Sequence, residues 1–238
     1  MMLGGQVLIV NEGCTMNKSE ILSGFIYVIL IVLFTIGAIA AKAQDIIISD
    51  MQFGPVPVGD DGSVTVTPTG EVELLNGVSP TAAIFGNGDN ITVNNEGTVK
   101  TTNGDNAPAI FVMGDNAVVD SSGFLEMTGN NSAGISIIGD GFNVMSTGPI
   151  TSGLTDNNEG VSIVGSNGTV FCSSPFTSTG SNSEAISVDG TNIYVESTNT
   201  IVTEGFQSEG ISLSGDDNTL IRSDSITTYE CRIRRHII

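Results

Sequence analysis

The chain has 238 residues, with 26 Asp plus Glu against 7 Lys plus Arg, one His, no Trp and a net charge of −19. So acidic a surface repels nucleic acid and anionic membranes, both of which need a basic footprint. Three Cys in a chain of this length make no disulfide framework, so stability is left to a packed core.

Taken in order, residues 1–15 show no periodicity and precede a second methionine, Met16. An apolar run from Phe25 to Ile39 then leads to Ala41-Lys42-Ala43, an A-x-A site followed by Gln44. Residues 16–43 are therefore expected to be a secretory signal peptide cleaved after Ala43, with translation starting at Met16. The rival reading is a retained anchor, because Ile21 to Ala41 gives 21 residues, enough to span a bilayer. Residues 44–58 carry Pro55 and Pro57 and are expected to form an N-terminal cap, since proline keeps a strand edge from pairing with strangers.

Residues 59–228 repeat. Three apolar columns return at intervals of 25 to 27 residues. The first is Ile84, Ile110, Ile135, Val161, Ile186 and Ile211; the second is Val66, Val93, Val119, Val144, Val170, Val195 and Leu220; the third is Val72, Val99, Leu125, Ile150, Phe176, Ile201 and Ile226. A fixed period of this size is the mark of a repeat architecture. Each copy reads as an alternating strand such as Ile135-x-Ile137, a Gly-Asp-Asn type turn and a second strand such as Phe142-x-Val144. A Glu96-Gly97, Ser122-Gly123 or Thr147-Gly148 turn comes next, then a third strand carrying Val99, Leu125 or Ile150. Alternation puts an apolar row inward and Ser, Thr, Asn or Asp outward, and no window has helical spacing. Stacked copies pair at roughly 4.8 Å per coil and bury one continuous core, roughly 34 Å long for seven coils. The expected fold is all-β: a right-handed parallel β-helix of about seven coils of 25–27 residues. Two rows of small polar residues keep the same period: Asn95, Ser121, Ser146, Cys172 and Ser197, and Thr101, Met127, Ser152, Ser178, Thr203 and Thr228. Placed at turns, they could hydrogen-bond from coil to coil.

Residues 229–238 break the pattern. A further copy would bring [Ala/Gly]-[Ile/Val] near position 236, but the chain reads Tyr229-Glu-Cys-Arg232-Ile-Arg234-Arg235-His236-Ile-Ile238. Three of the seven basic residues fall here. The reversal of charge is read as a frameshift or truncation of a longer array, the alternative being a basic cap over the last coil.

The pattern [Ala/Gly]-[Ile/Val]-x-[Val/Ile/Leu]-x-Gly-x-x-Asn, followed by Val-x-Asn/Ser-x-Gly-x-Ile-x-Thr, resembles the passenger repeats of bacterial autotransporters (type V secretion), from about Pro57 to Thr228. The resemblance implies a right-handed parallel β-helix displayed outside the cell at the outer membrane, often as an adhesin, with a C-terminal membrane barrel for export. The sequence carries no such barrel. The expected product is thus a secreted or cell-surface solenoid, structural or adhesive, meeting a host-cell or glycan ligand and touching membrane only through its signal peptide or a missing barrel. The alternative is a polysaccharide-acting β-helix lyase or hydrolase.

Candidate chemistry is thin. Asp60, Asp61, Asp89, Asp105, Asp115, Asp140, Asp189, Asp216 and Asp217 cluster at the turn after the first strand and could line one edge with the oxygen ligands that calcium prefers. However, the Gly-Gly-x-Gly-x-Asp signature is absent and Ser166 and Thr191 interrupt the row. Cys172 has no histidine in the repeats to activate it. A lyase needs cations, yet up to Thr228 the repeats offer only Lys100 and Arg222, five coils or roughly 24 Å apart. The single His236 lies in the tail, and Tyr194 is the only tyrosine in the array for stacking a sugar. The Thr101, Thr203 and Thr228 row is too interrupted for a flat ice-binding face. No residue is assigned a catalytic, cofactor-binding or metal-binding role, and no enzyme activity or cofactor is expected.

Overall fold

The computed structural model describes residues 44–75, 82–198, 200–222 and 225–228. The expectations for residues 1–15, the signal peptide or anchor at 16–43 and the tail at 229–238 lie outside them. Among the described residues there is no helix: strands run in turn through three parallel sheets, here A, B and C. Sheet A has eight strands, from Asp45–Ile48 to Thr219–Arg222, and sheet B eight, from Met51–Phe53 to Ile226–Thr228. Sheet C has seven, from Val56–Val58 to Glu209–Ser214. The order A, B, C recurs, so the chain is a parallel β-solenoid of about seven coils.

The register reproduces the first column, Ile84↔Ile110↔Ile135↔Val161↔Ile186↔Ile211, in sheet C. It also reproduces the third, Val72↔Val99↔Leu125↔Ile150↔Phe176↔Ile201↔Ile226, in sheet B. The second column needs one correction. Val93 stands beside Val64, not Val66, and Val66 faces Asn95. The cause is a longer second corner between sheets A and B: Thr67 to Gly70 separates Val66 from Glu71, where Glu96 and Gly97 alone separate Asn95 from Thr98 in the next coil.

Residues 44–58, expected as a cap, are themselves a coil. Asp45–Ile48, Met51–Phe53 and Val56–Val58 each start one sheet and pair with the next coil. Short strands with prolines still suit an end position.

The simple alternation of apolar inside and polar outside fails in two of the three sheets. Sheet C sends two apolar columns inward, such as Ile135 and Ile137, both fully buried. Sheets A and B each send one apolar and one small polar column inward. Asn95, Ser121, Ser146, Cys172 and Ser197 are buried, and so are Thr101, Met127, Ser152, Ser178 and Thr203. These rows sit where the chain leaves one sheet for the next. Several of their polar atoms bond along the stack, Asn95 Nδ2 donating to Ser121 Oγ (3.1 Å), Ser152 Oγ to Ser178 Oγ (2.8 Å), and the Ser146 and Ser174 hydroxyls lying 2.6 Å apart. Buried polar groups satisfied this way cost little, which lets the bonded members sit inside; Thr101 Oγ1 and Thr203 Oγ1 are buried without a partner. The Thr row therefore offers no exposed flat surface; the outward residues of sheet B at the same coils are Thr151, Thr177, Val202 and Thr227.

Size matching tunes the corner from C to A. Phe142 is buried there, and a Cβ on Gly168, one coil on, would lie 2.3 Å from its ring. Absence of a side chain at 168 makes the room for the ring at 142.

Candidate binding surface

The acidic residues fall on two edges rather than one. At the turn from sheet C to sheet A, Asp89 N–H donates to Asp60 Oδ1, Asp115 N–H to Asp89 Oδ1 and Asp140 N–H to Asp115 Oδ1, all at 2.8 Å. Ser166 N–H then donates to Asp140 Oδ1 (2.7 Å) and Thr191 N–H to Ser166 Oγ (3.3 Å), so the hydroxyl residues that interrupt the acidic row continue its hydrogen-bond ladder. Asp105 belongs to the turn from sheet B to sheet C, in a second ladder that runs Asp105, Asn130, Asp156, Ser181. Asp189 ends a strand of sheet C and lies in neither. At the turn from sheet C to sheet A the residue after the ladder position, acid or hydroxyl, is left-handed, as at Asp61, Asn90, Asn116, Asn167, Asn192 and Asp217, with φ between 54° and 59°. Asn and Asp tolerate that conformation best among residues with side chains. The turn acids thus tie coil to coil, strung one per coil along two edges. Among the described residues no three Asp, Glu, Cys or His side chains converge as a metal ligand set.

The two cations are not brought together. Lys100 Nζ lies 2.5 Å from Glu71 Oε1 and 3.6 Å from Glu73 Oε1 on the outer face of sheet B. The bond to Glu71 is the main reason its ammonium is held above the ordinary lysine range. Arg222 closes the last strand of sheet A. Tyr194 is exposed, and its hydroxyl donates to Glu196 Oε2 (2.9 Å), which raises the phenol.

Cys172 occupies a position that other coils give to Asn or Ser, and burial pushes its thiol up to about 12. It borders a cavity of about 10 Å³, lined also by Ser174, Phe176 and Ser197. A buried thiol far from its thiolate form is a poor nucleophile. In a Cys14→Ser, Cys231→Ser background, Cys172 is expected to resist a colorimetric disulfide reagent in buffer and to react fully in denaturant. Rapid labelling of the folded chain would contradict its burial.

A feature outside the turn acids is a glutamate column at the start of sheet C strands, Glu159↔Glu184↔Glu209, one per coil. Burial first, then repulsion from Glu159 and Glu209, holds the Glu184 carboxyl above its ordinary range, against a hydrogen bond from Ser187 that lowers it. Glu184 Oε2 is buried without a partner. A raised folded-state pKa means the folded chain keeps this proton to higher pH than the unfolded chain. Stability from this group is therefore greatest at low pH and falls as pH rises from the ordinary glutamate range through the raised value. Glu184→Gln is expected to raise the melting temperature near pH 7 and to leave it unchanged at about pH 3.5, below the ordinary range. A lower melting temperature near neutrality would contradict the crowding.

The outer face of sheet C carries an apolar stripe that alternation alone assigns to polar residues. Met113, Ile138 and Val164 stand in register in three successive coils, 41%, 42% and 48% exposed. Beside them, on the same face, the rings of Phe85 and Phe111 are 5.7 Å apart between centroids. Beyond the acidic turn edge, sheet A adds Val118 and Met145, each 40% exposed. Contiguous exposed apolar surface with a polar rim is the usual mark of a contact site. No protein-family model matches the chain, and comparisons with curated proteins and with solved structures find no match.

Proposed function

We propose that this chain is an exported surface or secreted solenoid of the autotransporter-passenger kind, with a structural or adhesive role and no catalysis. The observation that supports it is the registered stripe of Met113, Ile138 and Val164 beside Phe85 and Phe111. Stacking sets like residues in rows along an extended face, which suits grip on a broad ligand such as a host-cell or glycan surface. Fold alone fixes no function, so the ligand class rests on the resemblance of the repeats. The test is saturable binding of the chain to cultured cells and to immobilised glycans, compared with an Ile138→Asn, Val164→Asn variant whose circular dichroism is unchanged. Binding by the parent and its loss in the variant is the expected result. Equal binding by both would remove the stripe from the account.

One observation favours the polysaccharide-acting alternative. The glutamate column spaces carboxylates by one coil, roughly 4.8 Å, near the roughly 5 to 5.5 Å of a retaining glycosidase pair. Its middle member is the acid held protonated to higher pH. Release of new sugar ends that Glu184→Gln abolishes would establish this reading over the adhesive one.

A further inference from the structure

We propose that the outer face of sheet C docks a basic amphipathic polypeptide segment, whose apolar block lies on the Phe85, Phe111, Met113 and Ile138 end and whose Lys or Arg side chains lie on the Glu159, Glu184 and Glu209 end. The inference rests on the reading of the apolar stripe as a contact site and names the chemistry of what that site meets.

The face is divided along the stack. Each of its three columns changes character part-way. At the strand ends Met113, Ile138 and Val164 give way to Asp189 and Ser214. In mid-strand Phe85 and Phe111 give way to Ser136, Ser162, Ser187 and Ser212. At the strand starts Ala133 gives way to Glu159, Glu184 and Glu209. Apolar surface therefore runs directly into acid and hydroxyl surface on one continuous sheet.

Charge complementarity selects the partner. Among the described residues the basic ones are Lys100 and Arg222, which belong to sheets B and A, so no cation of sheet C answers the glutamates. Their carboxylates do not converge as metal ligands. Set one per coil at roughly 4.8 Å, they fit a row of side-chain cations better than a single ion. An anionic glycan or lipid is repelled by this end of the face, and a neutral sugar leaves its charges unpaired. A second copy of the chain presents the same acids there. A small polyamine would match the acids and leave the apolar end uncovered. A polypeptide with apolar and basic residues in separate blocks satisfies both ends. From the coil of Phe85 to that of Glu209 is five coil steps, roughly 24 Å, a span of about seven extended residues. Apolar burial supplies the grip, and the carboxylates supply orientation and selectivity.

The test is calorimetric titration of the full chain with a synthetic peptide of about seven residues, an Ile/Val block followed by an Arg block. Two controls accompany it: the same residues interleaved, and Glu in place of Arg. The block peptide is expected to bind, the interleaved one to bind more weakly and the Glu one not at all. Glu159→Gln with Glu209→Gln should weaken the block peptide roughly five-fold, and Ile138→Asn with Val164→Asn should weaken it too. Asp120→Asn with Glu126→Gln removes the same charge from the outer faces of sheets A and B and should leave binding unchanged. Equal weakening by the two neutralised pairs, equal binding of the block and interleaved peptides, or no binding would each overturn the proposal. The two readings fail separately: binding to cells or glycans that depends on Ile138 and Val164, beside an inert block peptide, overturns the basic partner alone.

Discussion

Gly114→Ala is expected to destabilise the chain by about 3 kcal/mol, the order seen when backbone strain and overpacking act together. Gly114 closes the turn after Ile110–Met113 with φ of +140°, and a Cβ there would lie 2.0 Å from the carbonyl oxygen of Gly88 in the previous coil. The atom in the way is backbone, so neither coil can yield without opening the stack. The same approach recurs at Gly139 over Gly114 and at Gly165 over Gly139, each at 2.0 Å, which explains the glycine in every copy of the motif. Because each coil touches only its neighbours, damage here uncouples the coils on either side. Urea unfolding should show a lower midpoint and a transition that broadens or divides. A curve superimposable on the parent would mean that the coils are not in this contact.

The second large effect is expected at Leu125, which is fully buried between Val99 and Ile150 in the inward column of sheet B. Leu125→Ala removes three carbon atoms from a packed row and should cost about 2 to 5 kcal/mol, because neighbouring coils cannot close the void without losing their strand pairing. Leu125→Met keeps the volume and should cost less than about 1.5 kcal/mol. Glu126→Ala, the next residue but pointing outward, should stay within about 0.5 kcal/mol. Equal losses at 125 and 126 would contradict the assigned face of the strand.

What could be read from the sequence tracked the strength of the period. The first and third columns were legible because Ile, Val and Leu recur at a nearly fixed interval and each pairs with its like. Val64 was hidden by the two extra residues of the Thr67 to Gly70 corner, which shifted the apparent partner to Val66. The internal position of Asn95 and Ser121 was not legible, since alternation assigns polar side chains to solvent, and their burial rests on a bond made from one coil to the next. The stripe of Met113, Ile138 and Val164 was missed for the converse reason. These residues end their strands on the outward phase, where a two-residue period treats an apolar side chain as noise. The glutamate column had a plain signal, an interval of 25 residues at strand starts, but attention to turn acids passes over it.

The most direct test of the registered stack is a distance between spin labels at Thr65 and Ile221, measured by pulsed electron paramagnetic resonance in the chain with its three Cys replaced by Ser. Both are outward positions of sheet A, linked through Asn94, Asp120, Met145, Phe171 and Glu196. Six coil steps predict a single narrow distribution centred at roughly 29 Å. A broad distribution, or a centre displaced by more than roughly two coil spacings, about 10 Å, would contradict the stack and the faces it builds.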